Sequence, residues 1–160
     1  MGTSVEDAIR LQKFRLLSFI AQKLESGNIE LAQGALRAVE NLAVEAQNWL
    51  NALNLSELLP LSGRLNEIKG LAIEWQEVLK DVWKNREQLR EISENLEKQG
   101  KALSEFLKQI DKIRGRKLSP EEYRKAFVLR GKVNEIITYL GIAKLWIDEI
   151  REEIRAGKGR

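Results

Sequence analysis

The sequence predicts an all-α protein, an antiparallel helical bundle of about four long helices in which the third and fourth form an extended coiled-coil hairpin. Apolar residues recur at intervals of three and four along most of the chain, a spacing that only a helix gathers on one face. Charged residues make up 32% and hydrophobic residues 43% of the 160 residues, a composition typical of long helices. Two prolines, Pro60 and Pro120, stand where helices would begin. We expect one domain over residues 1–160.

The first two helices are predicted from their end signals. Thr3 and Glu6 have the spacing of a capping box and open a helix over residues 4–26, which Gly27 is placed to end. Asn28 is then expected to cap a second helix over residues 29–54. Alanines recur along this second helix, so neighbouring helices can approach it closely.

The third predicted helix is the longest, over residues 62–113, and would measure about 75 Å. Gly100 is its weakest point, because an interior glycine costs about 1 kcal/mol relative to alanine. The apolar stripe stays in phase across Gly100, so the sequence favours a continuous helix, with a break at Gly100 as the alternative. The stripe consists of Leu65, Ile68, Ala72, Trp75, Leu79, Val82, Leu89, Leu96, Leu103, Leu107 and Ile110.

The fourth helix has the clearest start in the chain. Ser119 is the expected cap, Pro120 the first residue and Glu122 the third, so we predict a helix over residues 120–156. Residues 157–160 are expected to form a disordered tail.

The unequal lengths of these helices need an explanation. The first two would reach about 35 Å and the last about 55 Å, so they cannot bury all of the third. Either the third and fourth helices project as a hairpin, or a second copy of the chain covers the excess. A polar column of Arg86, Ser93 and Gly100 interrupts the stripe and favours the projecting hairpin.

Several classes of chemistry are missing from the composition. The chain contains no cysteine and no histidine, which excludes disulfides, thiolate zinc sites, Ser-His-Asp triads and Glu-x-x-His di-iron sites. Acidic residues alternate with basic ones along the helices, a pattern that helical ion pairs explain without a metal. We therefore predict no catalytic residues, no metal, no cofactor and no small-molecule substrate.

The expected cellular location follows from two patterns that the sequence does not show, a membrane span and a secretory signal. The longest uncharged stretch, residues 46–56, is far shorter than the roughly 20 residues of a membrane span, and no secretory signal pattern opens the chain. A cytoplasmic protein that makes no membrane contact is the expectation. The missing cysteine and histidine fit either a thermophilic source or an engineered chain, and nine asparagines and eight glutamines argue against the thermophilic source.

Charge is the strongest functional signal. Between Lys108 and Lys132, nine basic residues face three acidic ones. Such a cluster at a turn between helices can neutralise phosphates, which makes nucleic-acid binding the alternative function. No aromatic residue other than Tyr123 lies near this turn to stack on bases, so ordinary solvated charge is the favoured explanation of the cluster. The candidate nucleic-acid-binding residues are Lys112, Arg114, Arg116, Lys117, Arg124 and Lys125.

The main functional prediction is protein–protein association. Large apolar residues beside or beyond a stripe often anchor an interface, and small homo-oligomers are usually two-fold symmetric. We predict a non-enzymatic scaffold, adaptor or assembly protein that binds a protein partner and self-associates as a dimer. The candidate interface residues are Trp83, Ile137, Ile142 and Trp146.

Overall fold

Four α-helices make up most of the chain that the computed structural model describes, which is residues 26–157 and Ile9. We number them α1 (Ser26–Leu53), α2 (Leu59–Val78), α3 (Leu89–Arg114) and α4 (Pro120–Arg155), and no strand occurs among these residues. The predicted all-α helical bundle is confirmed. The predicted helix over residues 4–26, apart from Ile9, and residues 158–160 of the predicted tail lie outside the described residues.

Helix α4 is the central element, because it packs against α1 on one side and α3 on the other. Both neighbours run antiparallel to it. On the α1 side, Lys132 lies 3.2 Å from Glu45. On the α3 side, Arg130 pairs with Asp111, and the Ser93 hydroxyl donates to Asp148 at 2.6 Å. The buried side chains of α4 are Ala126, Leu129, Val133, Ile136, Ile137, Leu140, Ile142, Ala143, Trp146, Ile147 and Ile150.

Helix α2 completes the bundle on the far side of α1. It runs antiparallel to α1, with the Ser62 hydroxyl donating to Gln47 at 3.1 Å and Gln76 donating to Glu40 at 2.9 Å. Its backbone comes close to α3 at few positions. Long side chains bridge the remaining distance, and Arg64 donates to the buried Gln99 at 3.0 Å.

The predicted continuous helix over residues 62–113 is wrong. A straight helix would hold Arg64 and Gln99 about 50 Å apart, yet their side chains are hydrogen-bonded. The chain turns back between α2 and α3, through short 3-10 segments at Leu79–Asp81 and Arg86–Gln88. The alternative of a break at Gly100 is also wrong, because α3 passes through Gly100 without interruption.

Side chains of the turn explain why the helix stops there. The Asp81 carboxylate accepts from the backbone N–H of Lys84 at 3.1 Å. The Asn85 amide donates to the carbonyl of Val78 at 3.1 Å and so satisfies the end of α2. Such local bonds from Asp and Asn compete with the helix, while the buried Leu79 and Val82 keep the turn against the core.

The last two helices, α3 and α4, form the predicted hairpin, but this hairpin does not project beyond the rest of the bundle. Ser93, which was expected where helix cover thins out, is buried. Asn28 does not cap a helix either: α1 already begins at Ser26, and the Asn28 amide donates to Glu153 on α4. The start of α4 is as predicted, with a complete capping box between Ser119 and Glu122.

A polar network fixes α3 against α4 near the other end of the hairpin. Lys144 donates to the Ser93 hydroxyl at 2.9 Å and to Asp148 at 3.0 Å, and Arg151 donates to Asp148 at 3.2 Å. Burial alone would raise the pKa of Asp148. The hydrogen bonds from Ser93 and Lys144, the charge of Lys144 and the bond from Arg151 outweigh burial, so this pKa lies below its ordinary value.

Asp148→Asn should therefore change how stability depends on pH. A carboxylate with a lowered folded-state pKa stabilises the fold above its unfolded pKa, and that contribution disappears as the pH falls through the folded value. We expect the variant to be less stable than the wild type by about 1 kcal/mol at pH 7, with the difference shrinking below about pH 4. Thermal unfolding followed by circular dichroism measures both.

Glu152→Gln is the control for this prediction, since Glu152 pairs with Arg155 on the exposed surface of the same helix. Its effect at pH 7 should stay within a few tenths of a kcal/mol. A stability difference for Asp148→Asn that is independent of pH would contradict the role assigned to the Asp148 carboxylate.

Candidate functional site at the basic end of the bundle

The turn between α3 and α4 positions the basic residues singled out in the sequence. Helix α3 closes at Gly115, whose N–H donates to the carbonyls of Asp111 and Lys112, both at 3.2 Å. Helix α4 opens with the capping box, in which Ser119 and Glu122 exchange two bonds of 3.1 Å. Hydrogen bonds from the backbone and then the side chain of Ser119 lower the pKa of Glu122. Both helix ends beside the turn are thus held by hydrogen bonds.

Arg114 is the best-ordered cation at this end. Its guanidinium lies over the ring of Tyr123, 5.1 Å from the centroid, and over the ring of Phe127, 5.3 Å from the centroid. It also donates to the Tyr123 hydroxyl at 3.1 Å and lies 3.5 Å from Asp111. Stacking and hydrogen bonds together fix the orientation of this half-buried side chain.

The two rings are exposed in spite of their size. Phe127 is 59% and Tyr123 46% accessible to solvent. They lie four residues apart, which places them on one face of α4, and Arg124 occupies an exposed position on the same turn. We call Arg114, Tyr123, Arg124 and Phe127 the aromatic–arginine surface.

Sequence reasoning missed Phe127, because it identified Tyr123 alone as the aromatic residue near the turn. Phe127 falls between the stripe residues Ala126 and Leu129 and does not belong to the buried stripe. Its spacing of four from Tyr123 is the signal that could have identified the pair.

The six predicted nucleic-acid-binding residues do not form one patch. Arg114 and Arg124 belong to the aromatic–arginine surface. Lys112 and Arg116 line a shallow groove with Glu57, and Arg116 forms an ion pair with that glutamate. Lys125 points to the end of α1, where it donates to the Ala52 carbonyl at 3.3 Å. Lys117 is exposed in the turn itself.

The cations therefore surround the end of the bundle, and about half of them are paired. Lys125 lies 3.3 Å from Glu121, which adds to the pairs of Arg114 and Arg116. Lys112, Lys117 and Arg124 form no ion pair with another residue of the described part of the chain. This arrangement leaves a positive field around the turn, with exposed rings on one side of it.

The predicted protein interface does not fit the burial of its residues. Trp146 is 1%, Ile142 6% and Ile137 8% exposed, so these three side chains belong to the core of the single chain. The sequence placed them on more than one face of α4 and so suggested a second copy, but two helices of the same chain cover those faces. Trp83 is half-buried against the core at the opposite end of the bundle.

Within residues 26–157, no group of three or more acidic side chains comes together in a way that could hold a metal ion. None of the four helices carries an apolar stretch long enough to cross a membrane. A cleft between the start of α3 and the end of α4 is lined by equal numbers of arginines and acidic residues, so it favours neither sign of charge.

Compared with protein-family models, with curated proteins and with solved structures, the chain matches none of them.

Arg114 and Arg116 should differ sharply in their effect on stability, although they are two residues apart. Arg114→Ala removes two ring contacts and a hydrogen bond from a half-buried side chain, and we expect a loss of about 1–2 kcal/mol. Arg116→Ala removes one exposed ion pair and should cost less than about 0.5 kcal/mol. Urea unfolding of both variants measures the difference. Equal effects would show that the ring contacts of Arg114 contribute nothing.

Proposed function

We propose that this protein is a non-catalytic assembly protein that binds protein partners, including further copies of itself, through the aromatic–arginine surface. The observation that carries this proposal is the exposure of Tyr123 and Phe127 around an ordered Arg114. Large exposed apolar groups that form a patch mark interaction sites. Tyrosine, phenylalanine and arginine are also the residues enriched at the centres of protein interfaces.

The order of this surface favours protein binding. Arg114 is already held by two rings, a tyrosine hydroxyl and Asp111. Because that orientation exists before a partner arrives, little side-chain entropy remains to be lost on binding. Exposed rings in the centre with charged residues around them also match the usual anatomy of an interface, an apolar core within a polar rim.

Charge indicates which surface the partner presents. Arg124 lies on the same turn of α4 as the rings and Lys117 is exposed in the adjoining turn, so the complementary surface is acidic. Another copy of the chain offers exposed acids at its opposite end. Glu87 lies in the 3-10 segment before α3 and Glu91 in the first turn of α3, interspersed with Arg86 and Arg90, and Glu91 is about 35 Å along that helix from Arg114. A contact between these two unlike ends would be head-to-tail, and such contacts build rings or open arrays.

The direct test is the mass of the protein in solution. We expect size exclusion with light scattering to show an average mass that rises with protein concentration at low salt and falls at high salt. Tyr123→Ser combined with Phe127→Ser should keep the protein monomeric with its helical content unchanged. The double variant loses the ring contacts of Arg114, so its stability should fall by about the 1–2 kcal/mol expected for Arg114→Ala, while both rings lie outside the core and the helices remain formed.

Ile73→Ser combined with Tyr139→Ser is the matched control. Both residues are partly exposed apolar side chains on helices of the bundle, but they lie outside the aromatic–arginine surface. This control should associate like the wild type. A wild-type mass that stays monomeric at every concentration, or association that survives the loss of both rings, would overturn the proposal of self-association.

Nucleic-acid binding is the second candidate, and one observation favours it. Exposed rings next to unpaired cations resemble the combination by which single strands are bound, with bases stacking on aromatic side chains and cations following the backbone. Its weakness is geometric, because the cations surround the turn instead of lining one groove.

The test for this candidate uses a labelled 20-nucleotide oligo-dT and a duplex of equal length. If about five phosphates are neutralised, affinity for the single strand should fall roughly a hundredfold between 50 and 200 mM salt. Changing Lys112, Lys117 and Arg124 to glutamine should remove most of the binding. Changing Lys69, Lys84 and Lys98 to glutamine should change it little. Absence of binding at 50 mM salt would exclude this second function.

A further inference from the structure

Two glycines face each other across the groove between α3 and α4. Ser93 lies beside Asp148 and Asp111 lies beside Arg130, and these two pairs fix the antiparallel register. Gly100 comes seven residues after Ser93, and its opposite position, seven residues before Asp148, is Gly141. The groove therefore lacks side chains on both helices at the same level, which leaves a notch.

The notch is apolar inside and charged at its rim. Leu96, Ile137 and Leu140 line it together with the two glycines, while Glu97, Lys101 and Lys144 lie around its edge. Ile9 forms part of the lining of the same cavity. A Cβ atom added to Gly141 would overlap the Cδ1 atom of Ile9 and come within 3.3 Å of its Cγ1 atom. Ile9 therefore occupies space that only glycine at position 141 leaves free.

We propose that the notch formed by Gly100 and Gly141 is a docking site for a branched aliphatic side chain, and that its occupant is Ile9 of the same chain. The contact between Ile9 and Gly141 carries the proposal. Leu96, Ile137 and Leu140 offer a polar occupant no hydrogen bond, so this part of the lining favours an aliphatic side chain, although Glu97, Lys101, Ser104 and Lys144 also line the notch. This inference is independent of the proposed function, since Gly141 lies about 20 Å along α4 from Phe127.

The length of chain supports the same-chain assignment. Asn28 bonds to Glu153, so the start of α1 lies beside the end of α4. From Gly141 to Glu153 is a rise of about 18 Å along α4. Sixteen residues separate Ile9 from Ser26, enough to cover that distance in either a helical or an extended conformation. No second copy is needed to bring Ile9 to the notch.

A disulfide between positions 9 and 141 tests the docking directly. The sequence contains no cysteine, so any cross-link comes from the two introduced residues. In the double variant Ile9→Cys and Gly141→Cys, the sulfur atom of residue 9 takes the place of a γ carbon of Ile9. The γ atom of Ile9 lies 3.3 Å from an ideal Cβ at position 141, close to the separation of about 3 Å that a disulfide requires.

We expect this double variant to oxidise to an internally cross-linked monomer, seen as a faster band on a non-reducing gel. Ile9→Cys with Gly131→Cys is the matched control, because Gly131 is an open glycine on the same helix, about 15 Å away. The control should oxidise far more slowly. Cross-linked dimers would overturn the same-chain assignment, and equal rates for the two variants would overturn the docking itself.

Alanine substitutions give a second test that needs no cross-link. Nothing lies within 4 Å of a Cβ at Gly100, whereas one at Gly141 meets Ile9. Gly100→Ala should therefore raise the melting temperature, since alanine favours a helix, and Gly141→Ala should lower it. In an Ile9→Ala background the space is free, and Gly141→Ala should raise the melting temperature as well. The same change in both backgrounds would overturn the proposal.

Discussion

The simultaneous burial of α4 on two sides is the constraint on which the rest of this structure depends. A helix that packs against one neighbour needs a single apolar stripe, but α4 lies between α1 and α3 over most of its 36 residues. Its buried side chains therefore extend beyond the main stripe to Ile137 and Ile142. At about 25 cal/mol per Å² of apolar surface removed from water, burial on two sides makes α4 a major contributor to the stability of the bundle.

Polar pairs fix the register of α3 against α4, which hydrophobic contacts alone do not determine. Apolar stripes on two antiparallel helices can slide by a turn with little loss of burial, whereas hydrogen-bonded partners cannot. Ser93 with Asp148 and Asp111 with Arg130 bind the two ends of the α3–α4 pair. The glycine notch follows from the same register, since a shift of one turn would separate Gly100 from Gly141.

The two ends of the bundle differ in chemistry, and the proposed function rests on this difference. At the end formed by the α3–α4 turn, the core stops and two aromatic side chains remain in solvent around an ordered arginine. A chain under pressure only to fold would gain little by leaving Phe127 exposed. An exposed, preorganised group of this composition supports binding as the role of this end, and the surrounding cations favour an acidic partner.

How much of this protein could be predicted from its sequence depends on the range of the interaction involved. Helix type, the boundaries of α4 and the Ser119 capping box were predicted, because they rest on residues within one or two turns of each other. The turn at residues 79–88 was not predicted: the stripe through Leu79, Val82 and Leu89 stays in phase whether the chain runs straight or folds back. Asp81 and Asn85 were the local signal there, and their bonds to the backbone became decisive only with Leu79 and Val82 buried.

The conclusions about functional residues also divide into those that local sequence determines and those that depend on tertiary contacts. The sequence by itself determined the helical class, the absence of cysteine and histidine chemistry, and the concentration of cations between Lys108 and Lys132. Only the tertiary structure decided that Trp146 is core, that Phe127 is surface, and that the six candidate cations surround the turn. The physical reason is that exposure and grouping depend on which helices cover a face. Contacts between residues distant in sequence decide that, and local spacing does not encode them.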